Sequence, residues 1–124
     1  MARAREYDRA VARGVRFLDE RLDPGWVHLV TLPQFDISNG CYCVLGMVYR
    51  DDQRRQVDGV DFRRSAWSVA VATLDLYVHG AVRMGFDAGT LADGTYLDYQ
   101  GLQAAWAERL EELQEERLAL KSQR

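Results

Sequence analysis

In the first part of the chain the apolar positions Tyr7, Val11, Val15, Leu18 and Leu22 recur at steps of three and four, which draws one stripe along a helix. The spacing predicts a first helix from Ala2 to about Leu22. Asp23-Pro24-Gly25 ends it, because proline cannot continue a helix and glycine is free to turn. Residues 26–37 (WVHLVTLPQFDI) are rich in β-branched and aromatic side chains but are interrupted by Pro33. They predict an extended connector, with room for short strands, that offers Trp26, Leu29, Leu32 and Phe35 to the core. Ser38 to Tyr49 is the most apolar and least charged run in the chain, opened by the capping pair Ser38-Asn39 and closed by Arg50-Asp51-Asp52. It predicts a buried helix packed between the first helix and the last.

Residues 50–59 (RDDQRRQVDG) are polar and predict a loop. From Asp61 to His79 two periods compete. Phe62, Ala66, Val69, Thr73 and Leu76 fit a helix, while Val69, Val71 and Thr73 alternate as in a strand. The length of the segment favours the helix, with Asp61 as its cap and Gly80 as its stop. Its apolar residues lie nearly all round, which implies burial on more than one side or contact with a partner. Residues 81–96 contain Gly85, Gly89 and Gly94 and predict a turn-rich connection pinned to the core by Met84, Phe86 and Leu91. Asp98 then caps a last helix whose stripe is Leu102, Trp106, Leu110 and Leu113, with Glu108, Glu111, Glu112, Glu115 and Glu116 facing water or pairing with Arg109 and Arg117. The stripe holds too few heptads for a coiled coil, so it is expected to dock within the chain. The pattern thus predicts a mainly α single small domain over residues 1–124, with about four helices, an extended connector between the first two, and a frayed tail at 119–124.

Composition supports a globular core: 48% of the 124 residues are hydrophobic, with three Trp, six Tyr and four Phe. The net charge of −3 comes from mixed acidic and basic residues, so no large field of one sign points to nucleic acid or an anionic membrane. The arginines of the first helix are read as distributed around it, hence as a solvated surface. Cys41 and Cys43 are too close in sequence for an ordinary disulfide and too few to staple a secreted fold. With no apolar signal segment at the N-terminus and no run of ~20 apolar residues, a soluble protein of a reducing cytoplasm is the expectation.

Candidate chemistry is sparse. Cysteines at i and i+2 on a helix point about 200° apart, so Cys41 and Cys43 would not share a metal there. The structural reading puts one in the core; a reactive thiol near the helix N-terminus is the sharper alternative, but no His lies near in sequence to serve it. His28 has no second ligand at metal spacing and reads as a surface or hydrogen-bonded histidine. Asp75, inside an apolar run, is the one carboxylate placed for a raised pKa, and it fits solvent equally well. Neither phosphate-binding loop nor dinucleotide fingerprint is present. Cofactors are therefore expected to be none, and an enzyme is not expected.

The order Phe17-Leu18-Asp19-Glu20, Pro24-Gly25-Trp26, Cys43-Val44-Leu45-Gly46-Met47-Val48-Tyr49, Gly85-Phe86-Asp87 and Leu102-Gln103-Ala104-Ala105-Trp106 resembles a group of small uncharacterised proteins of actinobacterial phages and prophages. That group tends to read Cys-x-x-Cys-Val-Leu-Gly-Gln-Leu-Tyr at its centre. Here Gly40 stands where the first cysteine falls and Cys41 is displaced by one, and the segment from Asp61 to Leu76 is longer. The resemblance implies a phage-associated origin in a host bacterial cytoplasm and brings no activity.

The functional expectation is a non-enzymatic accessory protein that binds a host or phage protein, or a second copy of itself. The candidate surface is Arg54, Arg55, Arg63 and Arg64 in and beyond the polar loop, with Trp67, Val71, Leu74 and Val78 on the third helix. A DNA-binding regulator is the alternative, disfavoured by the balanced charge. A thiol-dependent redox or metal protein using Cys41 or Cys43 ranks lower still.

Overall fold

A computed structural model describes residues 3–40, 42–49, 66–76 and 80–121. Helix α1 spans Ala4–Arg21 and buries Tyr7, Ala10, Val11, Gly14, Val15, Phe17 and Leu18, the stripe that the sequence marks out and the small residues that let a neighbour approach. That neighbour is α4, Tyr99–Glu116, which buries Leu102, Ala105, Trp106, Leu110 and Leu113. The two helices pack directly on each other. They run parallel: the Asp98 N–H donates to the Tyr7 hydroxyl at their N-terminal ends (3.4 Å), and Arg117 reaches Asp19 at their C-terminal ends. A Cβ on Gly14 would stand 2.8 Å from the Trp106 ring and would also strike the Met84 carbonyl, so only glycine admits this crossing.

After α1 the chain winds into two 3₁₀ turns, Pro24–Leu29 and Leu32–Gln34, where an extended connector is the expectation from sequence. No strand forms there. Both prolines explain the difference, since each sits in the first turn of a short helix, where a missing N–H leaves no bond unmade. Asp23 caps the first turn through its carboxylate and the Gly25 N–H (2.8 Å).

Helix α2 is only Val44–Val48, shorter than the predicted Ser38–Tyr49 helix. The Ser38-Asn39 signal is spent on turns instead: Asp36 accepts from the Ser38 amide and hydroxyl, and the Asn39 carbonyl accepts from the Tyr42 and Cys43 amides. The cap is Cys43, whose Sγ accepts from the Gly46 N–H at 3.3 Å. Nor does α2 lie between the first and last helices. It packs on α3, Ala66–Thr73, and on the first 3₁₀ turn.

After α3, Asp75 adopts φ 55° and is exposed, which answers the question of its burial. The described helix ends at Thr73, short of the predicted stop at Gly80; the Gly80 N–H donates to the Leu76 carbonyl at 2.8 Å and Gly80 takes φ 87°. A turn-rich segment leads to a two-stranded antiparallel ribbon, β1 (Gly89–Thr90) with β2 (Tyr96–Leu97), and then to α4 under its Asp98 cap. A last helical turn, α5, covers Leu118–Lys121. The chain is thus a mainly helical single small domain, around a core in which Phe86 stacks on Trp106 (centroids 5.7 Å apart) and meets Phe17 edge-on (6.3 Å).

On α1 the placement of the arginines corrects the reading from sequence. At 3.6 residues per turn Arg5, Arg9, Arg13 and Arg16 fall within an arc of roughly 80° opposite the buried stripe, and Arg21 lies about 80° further round.

Candidate functional site

A recess of about 180 Å³ opens where four parts of the chain meet. The Ser38-Asn39-Gly40 turn forms one wall. Trp67, at the start of α3, forms another and is tied to that turn by its N–H on the Gly40 carbonyl (3.0 Å). The Phe86-Asp87 corner and Tyr99, in the first turn of α4, complete the lining, over a floor of Ile37, Cys43 and Phe86. The floor is apolar and buried, with Cys43 and Phe86 each 1% exposed.

The rim is polar and fixed. Tyr99 donates its hydroxyl to Asp87 Oδ1 at 2.7 Å, and the Ala88 N–H donates to the same oxygen at 2.9 Å. The hydrogen bond to the carboxylate, followed by partial burial and the charge of Asp87, pushes the Tyr99 phenol up to about 12. Tyr99 is therefore a neutral donor across the physiological range and is unsuited to act as a base. Outside the recess, the Ser38 hydroxyl and amide hold the Asp36 carboxyl below its ordinary range. The Cys43 Sγ, 1% exposed, accepts from the Gly46 amide and so caps α2. In a Cys41→Ser background, a thiol reagent is expected to label Cys43 only as fast as the protein unfolds; rapid native labelling would restore the reactive-thiol reading.

A second polar cluster joins the far ends of α1 and α4. Asp19 accepts both terminal nitrogens of Arg117 (2.8 and 2.9 Å) and the Trp26 indole N–H (2.9 Å), while Arg117 also donates to the Pro24 carbonyl (2.9 Å). His28 Nε2 lies 2.7 Å from the Arg117 carbonyl, the hydrogen-bonded histidine that the sequence suggests. Gln114 donates to the Val27 and Val30 carbonyls, and Gln103 bridges the Ile37 N–H and the Phe35 carbonyl. The polar side chains of α4 and Arg117 thereby hold the backbone of the 3₁₀ segment, and with it the Ile37–Gly40 wall of the recess.

Of the residues singled out from sequence, Trp67 lines the recess half-buried, while Val71 and Leu74 are buried in the core at 8% and 7% exposure. Arg54, Arg55, Arg63, Arg64 and Val78 lie outside the described residues. Sequence reasoning missed Tyr99 and Asp87. The Asp98 cap does place Tyr99 in the first helical turn, but nothing local marks a partner twelve residues earlier. Among the described residues no group of His, Cys, Asp or Glu could hold a metal ion, and no helix is long and apolar enough to cross a membrane. No protein-family model, curated protein or solved structure matches the chain.

Proposed function

We propose that this is a non-enzymatic phage or prophage accessory protein that acts in the host cytoplasm by binding a host or phage protein, and that the recess beside Trp67 is where that protein docks. The observation that carries this reading is the make-up of the rim. Tyr99, 41% exposed, stands with Trp67 around an apolar floor. Trp and Tyr over an apolar floor with polar neighbours is the composition of a binding hot spot. Size argues the same way. A volume of about 180 Å³ falls below the ~300–1,000 Å³ of pockets that enclose a substrate or cofactor, but it admits one inserted side chain. Asp87, at the rim, favours a partner segment that offers a lysine, arginine or amide donor.

The experiment is capture of a stoichiometric partner by the tagged protein, repeated with Trp67→Ala and Tyr99→Ala. Each substitution is expected to weaken capture by roughly 30-fold, the effect of losing about 2 kcal/mol at a hot spot. Undiminished capture by both folded variants would overturn the assignment of this surface.

A further inference from the structure

A second recess, of about 380 Å³, opens where the C-terminal half of α1 meets the turn after Gly80, and four arginines gather at it. Arg13, Arg16 and Arg21 enter from α1 and Arg83 from the turn, beside Phe17 and Met84, with Glu20 the one carboxylate in the lining. The local chain accounts for the gathering. Positions 13, 16, 17, 20 and 21 follow one another at three- and four-residue spacing, so they share one side of the helix. The tight turn from Gly80 to Gly85, both with positive φ, lays Arg83 against that side. Two of the guanidinium groups are fixed in place. Arg13 donates through Nε to the Arg83 carbonyl at 2.7 Å, and Arg21 lies over the Phe17 ring, 3.9 Å from its centroid. Glu20 faces Arg16 at 3.4 Å and Arg21 at 4.0 Å. Among the described residues neither Arg13 nor Arg83 has an ion pair. Burial, and after it the charges of Arg83 and Arg9, lowers the proton affinity of Arg13, and the opposing pull of Asp93 is the weakest of these influences. Two cations are thus held side by side, one of them half-buried, with no carboxylate in contact. Such a pair destabilises the fold until an anion joins it.

We infer that this recess binds a small soluble ligand through a diphosphate group, with Arg13 and Arg83 as its principal contacts and Arg16 and Arg21 at the rim. A guanidinium presents a planar fork that meets phosphate oxygens two at a time. Because Arg13 is anchored through Nε, both its terminal nitrogens are left to reach a ligand, and the anchor itself spares the entropy of ordering the side chain on binding. Charge selects the group. Four cations against one carboxylate leave an excess that a single phosphate, at about −2, does not match and a diphosphate does. Size selects a small molecule: the volume lies within the ~300–1,000 Å³ of small-ligand pockets, and half-buried Met84 supplies an apolar wall for the rest of the ligand. The chain as a whole carries −3, and Arg5 and Arg9, farther along α1, lie outside the lining. The attraction for anions is therefore concentrated at the recess, which favours a compact anion over a polynucleotide laid across the surface. The recess shares no residue with the one beside Trp67, so the two sites stand or fall separately.

The test is calorimetric titration of the full chain with inorganic pyrophosphate at low, constant ionic strength. One site per chain is expected. Arg83→Gln should weaken it about tenfold or more, the effect of losing a charge-assisted contact. The Arg83 side chain is exposed and makes no hydrogen bond among the described residues, so this variant keeps the fold. Arg13→Gln should weaken binding at least as much. Arg5→Gln, on the same helix but outside the recess, should change it less than about twofold, since an exposed charge at that distance is screened. No binding of pyrophosphate at millimolar concentration overturns the inference. So does equal weakening by Arg5→Gln and Arg83→Gln, which marks diffuse attraction to α1 in place of a site. If a short DNA duplex binds more tightly than pyrophosphate and Arg5→Gln weakens that binding as strongly as Arg83→Gln, the arginines serve a polynucleotide and the small-ligand site is wrong.

Discussion

Trp106→Ala is expected to be the most damaging single change in the described structure, costing about 3–5 kcal/mol. Trp106 is fully buried, stacks on Phe86 and lies over Gly14, so truncation leaves a cavity at the place where α1, α4 and the Phe86 corner converge. It also strands the Gly85 carbonyl, which now accepts the indole N–H at 2.6 Å. Gly85 itself has φ 75° and a Cβ there would stand 3.0 Å from the Ala10 backbone, so this corner has little freedom to collapse into the void. For a chain of this size the loss corresponds to a fall in Tm of roughly 10–20 °C. Trp106→Phe separates the two causes: it keeps most of the ring and drops the hydrogen bond, and should cost about 1–2 kcal/mol. Thermal melts of the two variants check this. A Trp106→Ala protein within a few degrees of wild type would show that the helix pair is not held at this point.

The same corner shows what could be read from the chain and what could not. The stripes of α1 and α4 were legible because helical periodicity is a local signal, and nearly every residue of those stripes is buried. The capping of α4 by Asp98 was legible for the same reason. What failed was anything whose partner lies far away in sequence. Residues 26–37 look like an extended, β-branched connector, but Gln103 and Gln114 grip their backbone, and Arg117 that of Pro24 just before them, from 66 to 93 residues away and hold 3₁₀ turns in place. Ser38-Asn39 look like a helix cap because Ser and Asn serve caps and turns equally well, and Asp36 two residues earlier decides for the turn. The apolar all-round pattern of α3 left burial on more than one side and contact with a partner both open. Val69, Ala70, Val71 and Leu74 are in fact consumed by the core, and Trp67 alone of the described candidates reaches the recess. The recess as a whole was illegible, since it is assembled from turns at 37–40 and 86–87 and from two helix starts, none of which carries a motif.

The second large effect is expected at the Asp19–Arg117 cluster, and it carries a pH dependence. Asp19→Ala removes the acceptor of the Trp26 indole N–H, on a residue 1% exposed, and leaves the Arg117 guanidinium without its two-pronged carboxylate partner. A cost of about 2–3 kcal/mol follows from losing hydrogen bonds to a charged group while stranding a buried donor. Both side chains of the pair are partly open to solvent, 18% and 30%, which keeps the figure below that of a fully buried ion pair. Burial by itself would raise the Asp19 pKa. The hydrogen bonds from Arg117 and Trp26, with the positive charge of Arg117 behind them, outweigh it and hold the carboxyl below its ordinary value of 3.8. A group whose folded pKa is depressed stabilises the native state above its unfolded pKa and loses that contribution as pH falls through the folded value. Denaturant melts of wild type and Asp19→Asn should therefore differ most above pH ~4 and converge toward pH ~2. Because the cluster anchors the 3₁₀ segment that leads to Ile37 and Gly40, Asp19→Asn at neutral pH should also raise amide exchange in residues 24–40 ahead of the rest of the core. A pH-independent gap between the two proteins, with exchange unchanged in that segment, would show that the ion pair is surface decoration and that the glutamines of α4 hold the segment without it.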